Sequence, residues 1–302
     1  PRGAAGATQE GFFDEMISEV RHVALVRITG TETGEIVTLS YIDPDLGDPD
    51  TLFTPEQREK VASALDTRSG LVGVSGPTLG STITVLHALE ELLKEYAAAH
   101  QVQVAAALGA EPLEALQNIL HRLPAFVLTA LSDDLASNKA AWNAITQAAA
   151  AGSVIILGMP GHDTPSLVRT LHEHTPSFLW RPLFQLTVVH APFPTACSSC
   201  AIPMPVHPDV AERFARDTDP ALLRGLKSAH APGCMVCNFR GDGPALGAVE
   251  LCTPDLLPDD LAVPDLAGVL RVRGMQTMVG DLVRRAYTTP VPLTKILGLL
   301  ND

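Results

Sequence analysis

No uninterrupted apolar run in this sequence approaches the roughly 18 residues of a transmembrane helix. The opening residues, Pro1-Arg2-Gly3-Ala4-Ala5-Gly6, hold no apolar stretch fit for a signal peptide. They also lack an initiating methionine, which suggests a fragment or a processed form. Basic charge is scarce: 21 Lys and Arg stand against 34 Asp and Glu, a net charge of −13 and a pI near 5.1. That balance argues against nucleic acid as a partner, because a phosphate-binding surface is normally basic. With 23 glycines and 24 prolines the chain is no low-complexity polymer, and 46% hydrophobic against 18% charged residues is a globular composition. No internal repeat, nucleophile elbow, zincin helix or usefully spaced glutamate pair is present. What remains is an acidic, soluble protein of cytosolic type. Its 302 residues suffice for one large or two medium domains with a buried core.

Strand-like and helix-like segments alternate, which predicts an α/β architecture with a mostly parallel sheet. Residues 24–29 and 35–41 are β-rich and joined by a Gly-containing turn at Gly30–Gly34, so they read as a hairpin. The acidic, Pro-broken stretch Asp43–Asp50 reads as a linker; its carboxylates do not fit a calcium loop, since no Glu closes it. A helix is expected from Thr54-Pro55-Glu56, where Thr caps and Pro suits the first turn. Gly70–Val74, 102–104, 126–128 and 154–157 read as buried strands, and Val85–Tyr96 and Asn138–Ala151 as helices. Beyond Leu186 the pattern turns Pro- and Cys-rich, and Leu266–Leu300 reads as two short helices.

Two places carry chemistry. Gly76-Pro77-Thr78-Leu79-Gly80-Ser81-Thr82 lies between a predicted strand and a predicted helix, where a phosphate-binding loop of pattern G-x-x-x-x-G-K-[ST] would sit. Backbone amides and the helix N-terminus would cradle the anion, a lysine would supply charge and a hydroxyl would hold magnesium. Counted from Gly76, the lysine position is Thr82 and the hydroxyl position Ile83, and no lysine occurs between Lys60 and Lys94. An ordinary Gly/Thr-rich strand–helix turn explains the same residues.

The second place is Cys197-x-x-Cys200 with Cys234-x-x-Cys237. Two thiolate pairs at this separation close a tetrahedral Zn–S4 site, one structural zinc per chain. Disulfides are the alternative, disfavoured in a reducing compartment. The separation implies that Asp209–Ala231 loops out. Cys252 reads as a core cysteine. His172 and His174, two apart on a helix, do not face each other, and His162-Asp163 follows a Pro-Gly turn.

The order of these pieces resembles the secretion and pilus assembly ATPases, the motors of type II secretion and type IV pili, over most of the chain. Thr31-Glu32-Thr33-Gly34-Glu35-Ile36-Val37 resembles the T-x-x-G-E-x-V turn of that family's N-terminal domain. Ser69–Thr78 resembles its strand into the phosphate loop, and the cysteine pairs match its tetracysteine module. Asn238–Leu251, Gly274-Met275-Gln276-Thr277-Met278 and Leu293–Leu297 resemble elements near its end.

The resemblance implies a RecA-like P-loop NTPase core with parallel sheet, a C-terminal zinc-binding module and a remnant of an N-terminal α/β domain. Its expected boundaries are 1–53, 54–190, 191–253 and 254–302. The departures fall where the chemistry should be. Besides Thr82 and Ile83, the acidic E-D-P segment falls on Val104–Ala107, the G-E-I-R-D box on Ala130–Asp134 with Leu131 for glutamate, and the T-L-H-T box on Gly158–Gly161 with Pro160 for histidine. Phosphoryl transfer works by positioning and charge neutralisation, and each lost group removes one such contribution. The expectation is an inactive pseudo-ATPase with no bound ATP or magnesium and no catalytic residue, its vestigial loop being Gly76–Thr82. It would be cytoplasmic, or peripheral at the inner membrane through its partners, a monomer or weak oligomer with a structural or regulatory role, partnered by an active assembly ATPase or a membrane platform protein. A divergent ATPase borrowing charge from Arg68 or Lys94, or a nucleotide binder without hydrolysis, are the alternatives.

Overall fold

The computed structural model describes residues 8–17, 20–31, 34–42, 47–100, 102–107, 113–131 and 133–297. The chain separates into two compact units, one of residues 1–189 with 253–255, the other of residues 190–252 with 256–302.

The first unit opens with an antiparallel sheet of β1 (Thr8–Ile17), β2 (Val20–Thr31) and β3 (Gly34–Ile42) in that order. β2 and β3 form the expected hairpin, closing at Thr31↔Gly34. The sequence does not announce β1, because Thr8–Ile17 mixes Gly, Phe and acids without a clean period of two. Of the expected linker, residues 43–46 lie outside the described residues. The remainder turns into the short helix α1 (Pro49–Leu52), capped by Asp48. α2 (Pro55–Leu65) starts where expected: Thr54 and Gln57 cap each other's backbone N–H reciprocally.

Five parallel strands follow. β4 (Gly70–Ser75) lies between β7 (Val154–Gly158) and β8 (Phe184–Phe193), and β6 (Phe126–Ala130) and β5 (Val104–Ala107) continue beyond β7. Strands buried on both faces read as continuous apolar runs, which is why they were legible. α3 (Leu79–His100) covers one face with Ile83, Leu86 and Leu89, all fully buried. α7 (Thr164–His174) covers the other, with Leu167 and Leu171 against Gly73, where a Cβ would lie 2.8 Å from Leu171 Cδ1. α4 (Leu113–His121), α5 (Asp133–Ala136), α6 (Lys139–Ala150) and α8 (Ser177–Leu183) complete the crossovers. Asn138 caps α6 by accepting from Ala140 and Ala141 N–H.

The second unit has its own core: Phe193, Val210, Phe214, Leu226, Ala248, Leu282, Val283 and Leu293 are among its members. The expected loop-out of Asp209–Ala231 is not found. That segment lies in α9 (Pro208–Ala215), a 3-10 turn at Pro220–Leu223 and β10 (Lys227–His230), which pairs antiparallel with β9 (Ile202–Pro205). Val210 and Phe214, one helical turn apart, are buried and draw the segment into the core. β11 (Leu246–Cys252) follows. The C-terminal part holds three helices rather than two, α10 (Leu266–Val272), α11 (Met278–Arg285) and α12 (Leu293–Leu297); residues 298–302 lie outside the described residues. On α11, buried Asp281 accepts hydrogen bonds from Val249 N–H, Gln276 Nε2 and Arg285 Nε.

Candidate functional sites

β4, β7 and β6 end in register, Val74 and Ala130 both opposite Gly158. The residues that follow them, Ser75 to Gly76, Met159 to Gly161 and Leu131, therefore share one edge of the sheet, where a phosphate would sit in an open parallel α/β fold. α3 already begins at Leu79, so the stretch Leu79–Thr82 of the expected loop is helix. Thr78 and Ser81 cap each other: Thr78 N–H donates to Ser81 Oγ at 3.0 Å, and Ser81 N–H donates to Thr78 Oγ1 at 3.1 Å. Thr82 N–H is taken by Thr78 C=O at 3.0 Å. Amides that would cradle a phosphate are thus spent on the protein itself.

Thr82 and Ile83 are fully buried. Thr82 Oγ1 donates to Thr78 C=O at 3.1 Å, and its methyl lies 3.0 Å from where a Cβ on Gly158 would be. The lysine position therefore points into the core beneath β7. The rest of the edge is stitched shut: Ser75 Oγ donates to His162 C=O and accepts from His162 N–H, while Gly161 N–H donates to Gly76 C=O. Leu131 is buried and its N–H bonds Gly158 C=O. Of the expected G-E-I-R-D box, Ser132 lies outside the described residues.

Val104–Ala107 proves to be β5 itself, which corrects the placement of the acidic segment on it. The stretch after the strand starts at residue 108 and contains Glu111 in the sequence; residues 108–112 lie outside the described residues. The candidate substitute cations are remote. Arg68 precedes β4 at the opposite end of that strand, about 20 Å away by strand rise. Lys94 lies twelve residues along α3 from Thr82, about 18 Å by helix rise, and pairs with Glu90 and Glu91. His174 stacks on Trp142 and His172 meets Trp180 edge-on, while Asp163 caps α7 by accepting from Ser166 N–H.

The four cysteines of the second site come together. Cys197, Cys200, Cys234 and Cys237 bring their sulfurs within 4.8 Å of one another. No disulfide joins them, and Cys252, buried in β11, forms no disulfide either. The sulfurs of Cys197 and Cys234 lie 3.9 Å apart, and those of Cys234 and Cys237 3.8 Å apart. Tetrahedral Zn–S bonds of 2.3 Å require sulfurs about 3.8 Å apart, whereas a disulfide requires about 2 Å. Two knuckle turns hold the pairs: Cys200 N–H bonds Cys197 C=O, and Phe239 N–H bonds Cys234 C=O. Gly233 and Gly241 have positive φ, and a Cβ on Gly241 would strike Ala231 C=O at 2.3 Å, so only glycine closes this turn.

Cys237 Sγ accepts N–H bonds from Cys234 and Gly241, and these hold its thiol down at about 6. Burial, aided by the neighbouring cysteines, pushes Cys200 up to about 12. Thiols so placed resist ionising together, and a divalent cation supplies the charge that lets them. The donor set, spacing and backbone donors fit zinc.

The core sheet and the edge that follows β4, β6 and β7 define the RecA-like fold of P-loop ATPases. Among solved structures, the Legionella pneumophila ATPase DotB matches with a TM-score of 0.58 at 13% identity, covering 97% of this chain and 78% of that one. The pilus retraction motor PilT, solved with bound ADP, matches at 0.52 and 13% identity, covering 91% and 73%. The Yersinia pseudotuberculosis ATPase DotB matches at 0.50 and 12%, covering 97% and 75%. No family model and no curated protein sequence matches. The fold implied by the resemblance is thus the fold found. No helix among the described residues is long and apolar enough to cross a membrane.

Proposed function

We propose that this chain is a catalytically inactive relative of the secretion and pilus assembly ATPases, a structural or regulatory component of a type II secretion or type IV pilus system. The observation that carries the reading is the self-capped loop: Thr78 and Ser81 consume amides that a phosphate would need, and Thr82 is sealed in the core. Three positions of transition-state stabilisation hold Thr82, Leu131 and Pro160, none of which carries charge. ATP and magnesium are then not cofactors, and the residues Gly76–Thr82 are a vestige.

Zinc is the resident cofactor in this reading, one per chain, held by Cys197, Cys200, Cys234 and Cys237. Four thiolates leave no open coordination position, so the metal supplies folding energy rather than chemistry. Residues 1–53 are read as the remnant of an N-terminal α/β domain, 54–190 as the degenerate RecA-like domain, 191–253 as the zinc module and 254–302 as a C-terminal helical segment. The protein is cytoplasmic and works by binding an active assembly ATPase or a membrane platform protein. Its charge of −13 favours a basic partner surface, and such binding weakens as salt rises, since exposed charges are screened within about 8–10 Å at 0.1–0.15 M salt.

The test is phosphate release by purified protein with ATP and magnesium, beside sedimentation over a concentration series. The expected result is release no faster than buffer and an oligomeric state indifferent to ATP. Magnesium-dependent turnover that Thr82→Ala abolishes, or an ATP-dependent hexamer, overturns the reading.

A further inference from the structure

Three of the four cysteines that would hold the metal sit where solvent can meet them. Cys197 is buried, but Cys200, Cys234 and Cys237 are only half-buried. Between Cys234 and Cys237, Met235 and Val236 are 82% and 75% exposed, and Phe239 beyond them is 74% exposed. The second knuckle therefore lies at the surface, with a short path from water to its sulfurs. A metal that only supplies folding energy gains nothing from such access, and cysteines sealed in a core are inert.

Cys234 is placed at the centre of a possible exchange. Its Sγ lies 3.8 Å from Cys237 Sγ and 3.9 Å from Cys197 Sγ, and a disulfide needs about 2 Å. Cys234 and Cys237 share one turn, closed by Phe239 N–H on Cys234 C=O, so side-chain rotation rather than a new chain path brings them together. Cys197 is less free. Its N–H bonds Gly241 C=O, and its C=O holds the first knuckle by accepting from Cys200 and Ala201 N–H. The two sulfurs of the exposed turn also differ. Cys237 Sγ accepts N–H bonds from Cys234 at 3.1 Å and Gly241 at 3.2 Å, whereas among the described residues no backbone N–H donates to Cys234 Sγ. Donors aimed at a thiolate stabilise its charge and weaken it as a nucleophile, which leaves Cys234 the stronger of the two.

We propose that Cys234 and Cys237 form an oxidation site at which hydrogen peroxide makes the protein release its zinc. Cys234 thiolate attacks the peroxide: an S–O bond forms, the O–O bond breaks, hydroxide leaves, and Cys234 becomes a sulfenic acid. Cys237 thiolate then attacks that sulfur: an S–S bond forms, the S–O bond breaks and a second hydroxide leaves. The two sulfurs give up two electrons, the peroxide takes them, and solvent protons turn both hydroxides into water. Cys197 and Cys200 remain as two ligands of a site that needs four, so the metal is lost and its folding energy with it. A thiol reductant reverses the bridge by exchange and restores the four ligands. This inference rests on the zinc reading above and stands whether or not the phosphate loop is inert.

The experiment treats the full chain with hydrogen peroxide beside a chromogenic chelator, after zinc has been counted in untreated protein. Release at least about tenfold faster than without peroxide is expected, with one Cys234–Cys237 disulfide per zinc in peptide mass mapping. Reductant and zinc together should restore the cluster. Cys252, fully buried in the same unit, should stay unmodified over that interval, and Cys252→Ser should leave release unchanged. Met235→Leu should also leave it unchanged, which separates ligand oxidation from sulfoxide formation on the exposed Met235. Because Cys234→Ser also removes a metal ligand, the site is assigned by mapping in the unaltered chain. Zinc retained in peroxide overturns the proposal, as does release with only sulfinic acid or with a bridge that omits Cys234 or Cys237. No zinc before treatment would overturn the metal reading, and this proposal with it.

Discussion

The Gly76–Thr82 turn of the first unit and the cysteine cluster of the second are both short backbone turns that could hold a charged ligand, and the protein treats them in opposite ways. At the cluster, all four ligating side chains are in place and the backbone supports them, with N–H groups aimed at Cys237 Sγ and Gly241 where no Cβ fits. At the loop the strand–turn–helix framework is kept, but the ligand's positions are filled by the protein: Ser81 and Thr78 bind each other, and Thr82 packs under Gly158. A ligand site that also holds the fold together cannot lose its side chains without unfolding. A catalytic loop can, provided the freed amides find new partners. In the proposed reading the self-cap is that replacement.

The largest expected effect lies at the cluster. Cys234→Ser, or a strong chelator, should remove on the order of 5 kcal/mol or more from the second unit, because capture of the proposed zinc would be folding energy there. Calorimetry should show the unit's transition lost while the first unit still melts cooperatively. Cys252→Ser, in the same unit but without a metal, should cost on the order of 1–2 kcal/mol. Equal effects of the two substitutions, or no zinc in elemental analysis of reduced protein, would break the comparison from that side.

Restoring the missing lysine is the next test. In a working phosphate loop Thr82→Lys would add function; here it forces a charge into a fully buried position against β7. The expected result is destabilisation by about 3 kcal/mol with no gain of nucleotide binding. A stable Thr82→Lys variant that binds ATP would show the loop dormant rather than rebuilt.

Smaller still is removal of the cap. Thr78→Ala should cost about 1 kcal/mol, as helix caps do, and free the Ser81 N–H. If calorimetric titration then detects ATP where the parent shows none, the loop is blocked by its cap alone.

The smallest effect lies farther along α3, where Glu90 meets His87 at 3.3 Å and Lys94 at 3.2 Å. The hydrogen bond from His87, with help from Lys94, holds the Glu90 carboxyl below its ordinary range. A lowered folded-state value means stability that is present at neutral pH and lost as the pH falls through that lowered range. Glu90→Gln should cost less than about 1 kcal/mol and flatten the acid limb of the melting profile.

Much of this was legible along the chain because it rests on local rules. Buried parallel strands show as apolar runs, Thr54 and Asn138 mark helix starts, and paired cysteines at fixed spacing announce a metal site wherever the loops between them go. Misreadings arose where a residue's state depends on distant partners. Val210 and Phe214 turn an expected loop into a core helix because neighbours far along the chain bury them. Val104–Ala107, where the acidic segment is expected, is strand because it pairs with β6, and local sequence does not encode that pairing.

The sequence by itself determined the α/β class, the position of the phosphate loop, the absence of its lysine and the four cysteines, since each follows from residue identity and short-range spacing. Only the tertiary structure decided that the loop is closed rather than merely lacking a charge. That closure needs α3 to start at Leu79, Gly158 to admit Thr82, and the segment after β7 to bond Ser75 and Gly76. These contacts join residues some eighty positions apart, and no local pattern encodes which amides the folded chain will have already satisfied.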